Sequence, residues 1–185
     1  MKIVSDFNTA TNFLKKGGVG IIPTDTIYGI SCLSSLKEKV ESIYEIKGRE
    51  FSKPFIILIS DIDDLIKFNI SPTDNETNII KKYWPGPVSI ILDVPQNELA
   101  YLHRGNNSLA FRLPNDSGLL SILEKTGPLV STSANISNNP PIKNSGEAKI
   151  HFDNKLDFML DIGLLPERNP SRIVEIRNGI ENIIR

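Results

Sequence analysis

Residues 36–59, LKEKVESIYEIKGREFSKPFIILI, contain in one stretch the alternation that decides the fold class. Val40, Ile43, Tyr44 and Ile46 recur at helical spacing and predict an amphipathic helix over about Leu36 to Ile46. Phe55 to Ile59 is a short unbroken apolar run, the pattern of a buried strand. Gly48, between them in Lys47-Gly48-Arg49, is the residue helices favour for a left-handed exit. The same alternation extends both ways. Upstream, Asp6 or Asn8 caps a helix through Lys16, Gly17-Gly18 ends it, and Val19 to Pro23 reads as a strand. Downstream, short helices are expected at Ile62 to Lys67 and Asn75 to Lys82, and strands at Val88 to Val94 and Ser108 to Leu113. Asn115 or Asp116 caps a helix ending near Gly127, Leu129 to Thr132 is a strand, and Gly146 to Phe152 is helical. Strands near Leu156 to Asp161, Ser171 to Ile176 and Glu181 to Arg185 close the chain. Helices and strands mix without a strict β-α repeat, so the expected fold is α/β, a single domain over residues 1–185 with a twisted mixed sheet and flanking helices.

Composition narrows the function classes. The 185 residues carry 21 Lys plus Arg against 22 Asp plus Glu, a net charge of -1, which argues against a chain coated in RNA and against an acidic tail protein. Any anion site must be local. One Cys and two His exclude an intramolecular disulfide framework and make cysteine- or histidine-rich metal centres improbable. The start, MKIVSDFN, lacks the apolar core of a signal peptide, and the strongest apolar run is far too short to span a bilayer; the expectation is a cytoplasmic protein with no membrane contact.

The familiar nucleotide signatures fail. Gly17-Gly18-Val19-Gly20 precedes a strand instead of linking strand to helix, and there is no G-x-x-x-x-G-K-[ST]. Other segments concentrate polar chemistry, each with an ordinary alternative. Pro23-Thr24-Asp25-Thr26-Ile27-Tyr28-Gly29 sets hydroxyls and a carboxylate after a strand, where ligand sites of α/β sheets open; it is equally readable as a polar turn. Lys47, Arg49 and Lys53 form an anion clamp or merely complement a helix dipole. Trp84-Pro85-Gly86-Pro87 reads as a structural corner. Ser108 and Arg112, four apart on a strand, share a face, and an arginine between Phe111 and Leu113 needs an anionic partner, internal or bound. Ser131-Thr132-Ser133-Ala134-Asn135-Ile136-Ser137 is dense in small donors and has no local His, Asp or Glu to make a nucleophile, so its hydroxyls read as ligand binders.

Taken in order, PTDTIYG, KGR with KP, WPGPVSIIL, SLAFRLP, PLVSTSANIS, DIG and PSRIV resemble the YrdC-like family of threonylcarbamoyl-AMP synthases from about Gly18 to Arg185, with KxR plus SAN the most specific combination. The resemblance implies a concave, cation-lined cleft. It also implies a reaction: L-threonine, bicarbonate or CO2, and ATP give threonylcarbamoyl-adenylate and pyrophosphate, the first step toward the threonylcarbamoyl group on adenosine 37 of tRNA. By the same resemblance Thr26, Arg112, Ser131 and Ser171 recognise threonine with Tyr28 close by, and Lys47 steers the carboxylate or carbamate. Arg49, Lys53, Ser108, Ser133, Asn135 and Arg185 then hold ATP, with Lys47 and Arg49 the catalytic pair. Mg²⁺ is expected with ATP, its protein ligands unidentified. Downstream threonylcarbamoyl-transfer proteins and a weak tRNA contact are the implied partners.

The chain departs from the family pattern at Lys53, where longer members often carry Asn, at Leu58 in place of His, at Pro141 in place of Ser, and at Arg172 in place of Thr. Its end at Arg185 leads to the expectation of the short, single-domain type. Two competing readings remain at this level, an RNA-binding module and a domain handling a related carbamoyl-adenylate. Near-zero net charge weighs against the first.

Overall fold

The computed structural model describes residues 1–166 and 169–184. In chain order the elements are β1 (Lys2–Val4), α1 (Phe7–Lys15), β2 (Gly20–Ile22), β3 (Gly29–Leu33), α2 (Lys37–Lys47), β4 (Ile56–Leu58), α3 (Asp74–Ile80), β5 (Val88–Asp93) and α4 (Ala100–His103). Then follow β6 (Ser108–Arg112), α5 (Ser117–Thr126), β7 (Leu129–Ser133), α6 (Ser145–Phe152), β8 (Phe158–Leu160), β9 (Arg172–Arg177) and β10 (Ile180–Ile183). Most expected elements form within a residue or two. Ile62–Phe68, expected as a short helix, is a 3-10 helix that Asp61 caps and left-handed Asn69 ends. Two strands and one helix were not legible. β1 is a three-residue edge strand held by parallel pairing with β8. β3, sequence GISCL, has weak intrinsic β preference and exists because β2 and β7 pair with it on both sides. The helix α4 is a single turn following a 3-10 turn at Asn97–Leu99.

The described strands form one ten-stranded sheet in the order β1-β8-β2-β3-β7-β4-β6-β5-β9-β10. Pairings β1–β8, β2–β8, β4–β6 and β5–β9 are parallel and the others antiparallel, so the sheet is mixed as the irregular alternation predicts. Period-two alternation divides the core. Ile22, Leu58, Leu129, Phe158 and Leu160 face α1 and α5, packing on Ala10, Leu14, Leu119, Ile122 and Leu123. Their neighbours Ile21, Ile57, Val130 and Met159 point the other way, to Val40, Ile43 and Tyr44 of α2, Ile79 and Ile80 of α3, and Phe152 of α6. Each such side chain is fully or nearly fully buried, a stabilisation of roughly 1.5–3 kcal/mol apiece. Helices α1 and α5 meet closely at Gly118, where a Cβ would lie 2.4 Å from the Phe7 ring.

The helices α1 and α5 cover the β8–β2–β3–β7 half of their face. On the same face, the register puts Ser131 opposite both Ser31 and Ile56, Ile56 and Leu58 opposite Ala110 and Arg112, and Ala110 opposite Ile91. That stretch is left open. It is the floor of the cavity described next.

Candidate active site

A cavity of about 570 Å³ lies over this floor, within the size range of small-molecule sites. Ser131, Ser133, Ile56, Leu58, Ser108, Ala110, Arg112, Ile91 and Ile173 line it from the strands, and Thr24, Thr26 and Ile27 from the turn after β2. Arg49, Lys53, Pro54 and Phe55 enter from the segment after α2, and Pro170 and Ser171 from the lead into β9. Among the sequence-predicted residues, Thr26, Tyr28, Arg49, Lys53, Ser108, Arg112, Ser131, Ser133 and Ser171 converge here. Lys47 and Asn135 do not line it, and Arg185 lies outside the described residues.

One end of the cavity is organised by Arg112. Its guanidinium is 4% exposed and pairs with the equally buried Asp25 carboxylate, so its anionic partner in this structure is internal. Nη1 donates to Thr26 Oγ1 at 3.1 Å and Nε to the Gly86 carbonyl at 3.4 Å, while Asp25 Oδ2 also accepts from the Asn115 N–H at 3.2 Å. Thr24 Oγ1 lies 2.9 Å from Thr26 Oγ1 and donates to the Ile27 carbonyl at 2.7 Å, closing the turn on itself. A guanidinium has five N–H groups, and these bonds use three of them. The structural corner Trp84–Gly86 therefore does more than turn the chain: its Gly86 carbonyl helps aim Arg112.

The other end depends on the left-handed glycine of the KGR motif. Gly48 has φ 58°, and the Arg49 N–H closes back on the Tyr44 carbonyl at 3.1 Å, so consecutive cations leave the helix in different directions. Lys47 turns inward and is 1% exposed. Its ammonium donates to the Ser133 carbonyl at 2.5 Å, the Asn135 carbonyl at 2.7 Å and Asn135 Oδ1 at 2.7 Å. All of its N–H groups are thereby used from behind the Ser133–Asn135 loop. Burial, with the Arg49 charge second, pulls the Lys47 pKa down to about 7, while the accepting oxygens favour its charged form. Ser133 Oγ donates to Asn135 Oδ1 at 2.7 Å and Asn135 Nδ2 to the Asn139 carbonyl at 2.6 Å, fixing the loop further. Arg49 turns outward, into the cavity. Its Nε donates to the Lys53 carbonyl at 3.1 Å, and its guanidinium lies 5.3 Å from the Phe55 ring centre. Lys53, 59% exposed, pairs with Glu50 at 3.0 Å.

Tyr28 closes one flank. Its hydroxyl donates to the Gly163 carbonyl at 2.7 Å and accepts from the Ile162 N–H at 3.3 Å, tying the DIG segment to the PTDTIYG turn; burial raises its pKa. A second cavity of about 520 Å³ continues from there between Ile142 and Leu164 to Pro166. Of the departures, Lys53, Leu58 and Pro141 line the main cavity, whereas Arg172 is exposed and does not. Sequence reasoning did not single out Ser31 and Ser89, which stand behind lining residues, and left Asp25 unassigned within its motif. Ser31 is opposite Ser131 in register, and Ser89 Oγ is 3.0 Å from Ser171 Oγ. Only Asp25 carried a sequence signal, as a carboxylate directly after a strand.

Among the described lining residues there is no carboxylate, imidazole or thiol. The chemistry open to them is to hold anions and orient polar groups. Comparison with known proteins agrees in kind. The Sua5/YciO/YrdC family model, described as telomere recombination, matches residues 12–185. A threonylcarbamoyl-AMP synthase of Marinobacter nauticus is 31% identical over 166 residues, 88% of this chain and 87% of the relative. One from Nitrosococcus oceani is 30% identical over 172 residues, 92% of each. The crystal structure of P. abyssi Sua5 complexed with L-threonine superposes on 100% of this chain with a TM-score of 0.89; at 24% identity it speaks for the fold, and this chain spans 57% of it. A family model that extends over nearly the whole chain, joined by relatives aligned across most of their own length, places the protein: the chain belongs to the Sua5/YciO/YrdC family.

Proposed function

We propose that the protein is an L-threonylcarbamoyladenylate synthase, which condenses L-threonine, CO2 or bicarbonate, and ATP into threonylcarbamoyl-AMP and pyrophosphate for transfer to adenosine 37 of tRNA. The observation that carries this reading is that one cavity holds two kinds of anion site. An amino-acid end has a pre-aimed arginine ringed by hydroxyls, and a phosphate end has cations beside a loop of small donors. The names of the relatives support it.

In this reading the N–H groups of Arg112 left over from Asp25, Thr26 and Gly86 take the threonine carboxylate, and Thr26, Ser131 and Ser171 supply hydroxyls around the amino acid. Arg49, Lys53, Ser108 and Ser133 hold the nucleotide, chiefly its phosphates. Lys47 and Asn135 act from behind, keeping the Ser133–Asn135 loop in shape, and Tyr28 fixes the flank. The threonine amine adds to CO2 to give a carbamate and releases a proton. A carbamate oxygen then attacks the α-phosphorus of ATP, and the bond to the β-phosphate oxygen breaks to release pyrophosphate. The barrier is largely the approach of one anion to another, which positioning and fixed positive charge lower without a protein nucleophile. Mg²⁺ would enter as part of the ATP substrate, with phosphate oxygens and water supplying most of its shell.

The test is pyrophosphate release from ATP with threonine and bicarbonate each left out in turn. Release that requires both supports the synthase, and release indifferent to threonine removes it. Transfer of radiolabelled threonine to tRNA in the presence of transfer proteins checks the downstream assignment.

A further inference from the structure

We propose that Asp25, Ser31 and Ser89, none of which lines the cavity, are positioning residues that set the direction of its amino-acid-facing donors Arg112, Ser131 and Ser171. The inference rests on the amino-acid pocket proposed above and adds the layer that shapes it. The three contacts repeat one arrangement, a buried polar group outside the cavity bonded to a polar group that lines it. Ser31 is 0% exposed, sits directly across the β3–β7 pairing from Ser131, and donates its hydroxyl to Ser131 Oγ at 3.2 Å. Accepting that bond leaves the Ser131 proton free to point elsewhere. The direction left open is the cavity, because the adjoining Gly29 has no side chain; a Cβ there would lie 2.7 Å from Ser131 Oγ. Ser89 is 0% exposed as well, and its hydroxyl lies 3.0 Å from that of Ser171. Asp25 does for Arg112 what the serines do for the hydroxyls, gripping Nη2 from one side while its other oxygen is held by the Asn115 N–H.

Chemistry favours this role over incidental core filling. A fully buried hydroxyl is costly unless paired, and alanine would fit both serine positions without that cost. A pocket that discriminates by hydrogen bonding gains most when its donors are immobilised before the ligand arrives. A neutral bond of this type contributes about a fivefold effect on binding.

The test measures threonine KM and ATP KM for Ser31→Ala, Ser89→Ala, Ser131→Ala, Ser171→Ala and the double variants Ser31→Ala/Ser131→Ala and Ser89→Ala/Ser171→Ala. Each buried-serine variant is expected to raise threonine KM about fivefold while ATP KM moves by less than about twofold. Each double variant should be no worse than its cavity-facing single variant, since the buried serine then has nothing left to aim. Asp25→Asn should have a larger effect of the same selectivity, but it leaves Arg112 buried without its counter-charge and endangers folding, so the serines decide the matter. If Ser131→Ala and Ser171→Ala raise threonine KM and the buried-serine variants do not, or if the doubles are additive, the positioning role is overturned and the pocket stands. If Ser131→Ala and Ser171→Ala leave threonine KM unmoved, the pocket itself is wrong and this layer goes with it.

Discussion

The two ends of the cavity hold their cations in opposite ways. Arg112, at one end, is almost fully buried and already neutralised by Asp25, whereas Arg49 and Lys53, at the other, pair among the described residues with backbone carbonyls, an aromatic ring and the exposed Glu50. A neutralised arginine recognises by geometry, since its fixed N–H groups and the hydroxyls around them reward one shape of ligand. A cation held by carbonyls, as Arg49 is, or paired with an exposed and solvent-screened carboxylate, as Lys53 is, acts by its field, which suits a polyanion that arrives charged and leaves charged. On the proposed function, the protein therefore separates selection of the amino acid from stabilisation of charge at phosphorus.

The sharpest way to break this contrast is Arg49→Ala. Removing the cation proposed to face the reacting phosphates should lower turnover by about a hundredfold or more, the scale of losing one preorganised electrostatic contact, and steady-state pyrophosphate release measures it. Near-normal turnover in a folded variant would mean that the two ends do not differ as described. Lys47→Met comes next. The ammonium is not in the cavity, so its loss should act through the Ser133–Asn135 loop and cost about tenfold in turnover, the effect of removing a charge-assisted bond. Its signature lies in pH. With the folded pKa near 7 and the unfolded one near 10.5, the unfolded chain binds more protons between those values, so the stability attributable to Lys47 rises with pH across that window and is flat below it. Activity should move oppositely, because the neutral amine donates two bonds where the ammonium donates three. Denaturation midpoints of the native protein and Lys47→Met, compared from pH 6 to 10, show the trend or its absence.

The same two cations show where the sequence was readable. Helix α2, strand β4 and the glycine between them follow from spacing and from the left-handed preference of Gly48, because those are local properties. That Lys47 turns inward while Arg49 lines the cavity is set by where β7 brings its loop, from Ser133 onward, and no local pattern encodes it. Ser31 lies in β3, itself invisible because GISCL becomes a strand only between two partners. Its role depends on the register that puts it opposite Ser131, and that register is fixed by residues a hundred positions away. Motifs thus showed most of the polar residues that converge on the cavity, and topology decides which of them line it and which stand behind it.

Lys53→Ala sharpens the contrast at its weakest member. Its ammonium is 59% exposed and shares its charge with Glu50, itself 67% exposed, so solvent screens both. An exposed pair of this kind is worth roughly 0.2–1 kcal/mol, and its contact with phosphate should be of similar size, a rise in ATP KM of up to about fivefold at low salt. The screening length falls from about 8 Å at physiological ionic strength to about 3 Å at 1 M. ATP KM of the unmodified protein should therefore climb with added potassium chloride, and the difference made by Lys53→Ala should shrink toward nothing. Threonine KM should hold nearly level over the same titration, because Arg112 is shielded from salt by burial and its charge is already balanced by Asp25. Equal salt sensitivity at both ends would show that Asp25 does not neutralise Arg112 toward the ligand, and the division between a geometric end and an electrostatic end would collapse.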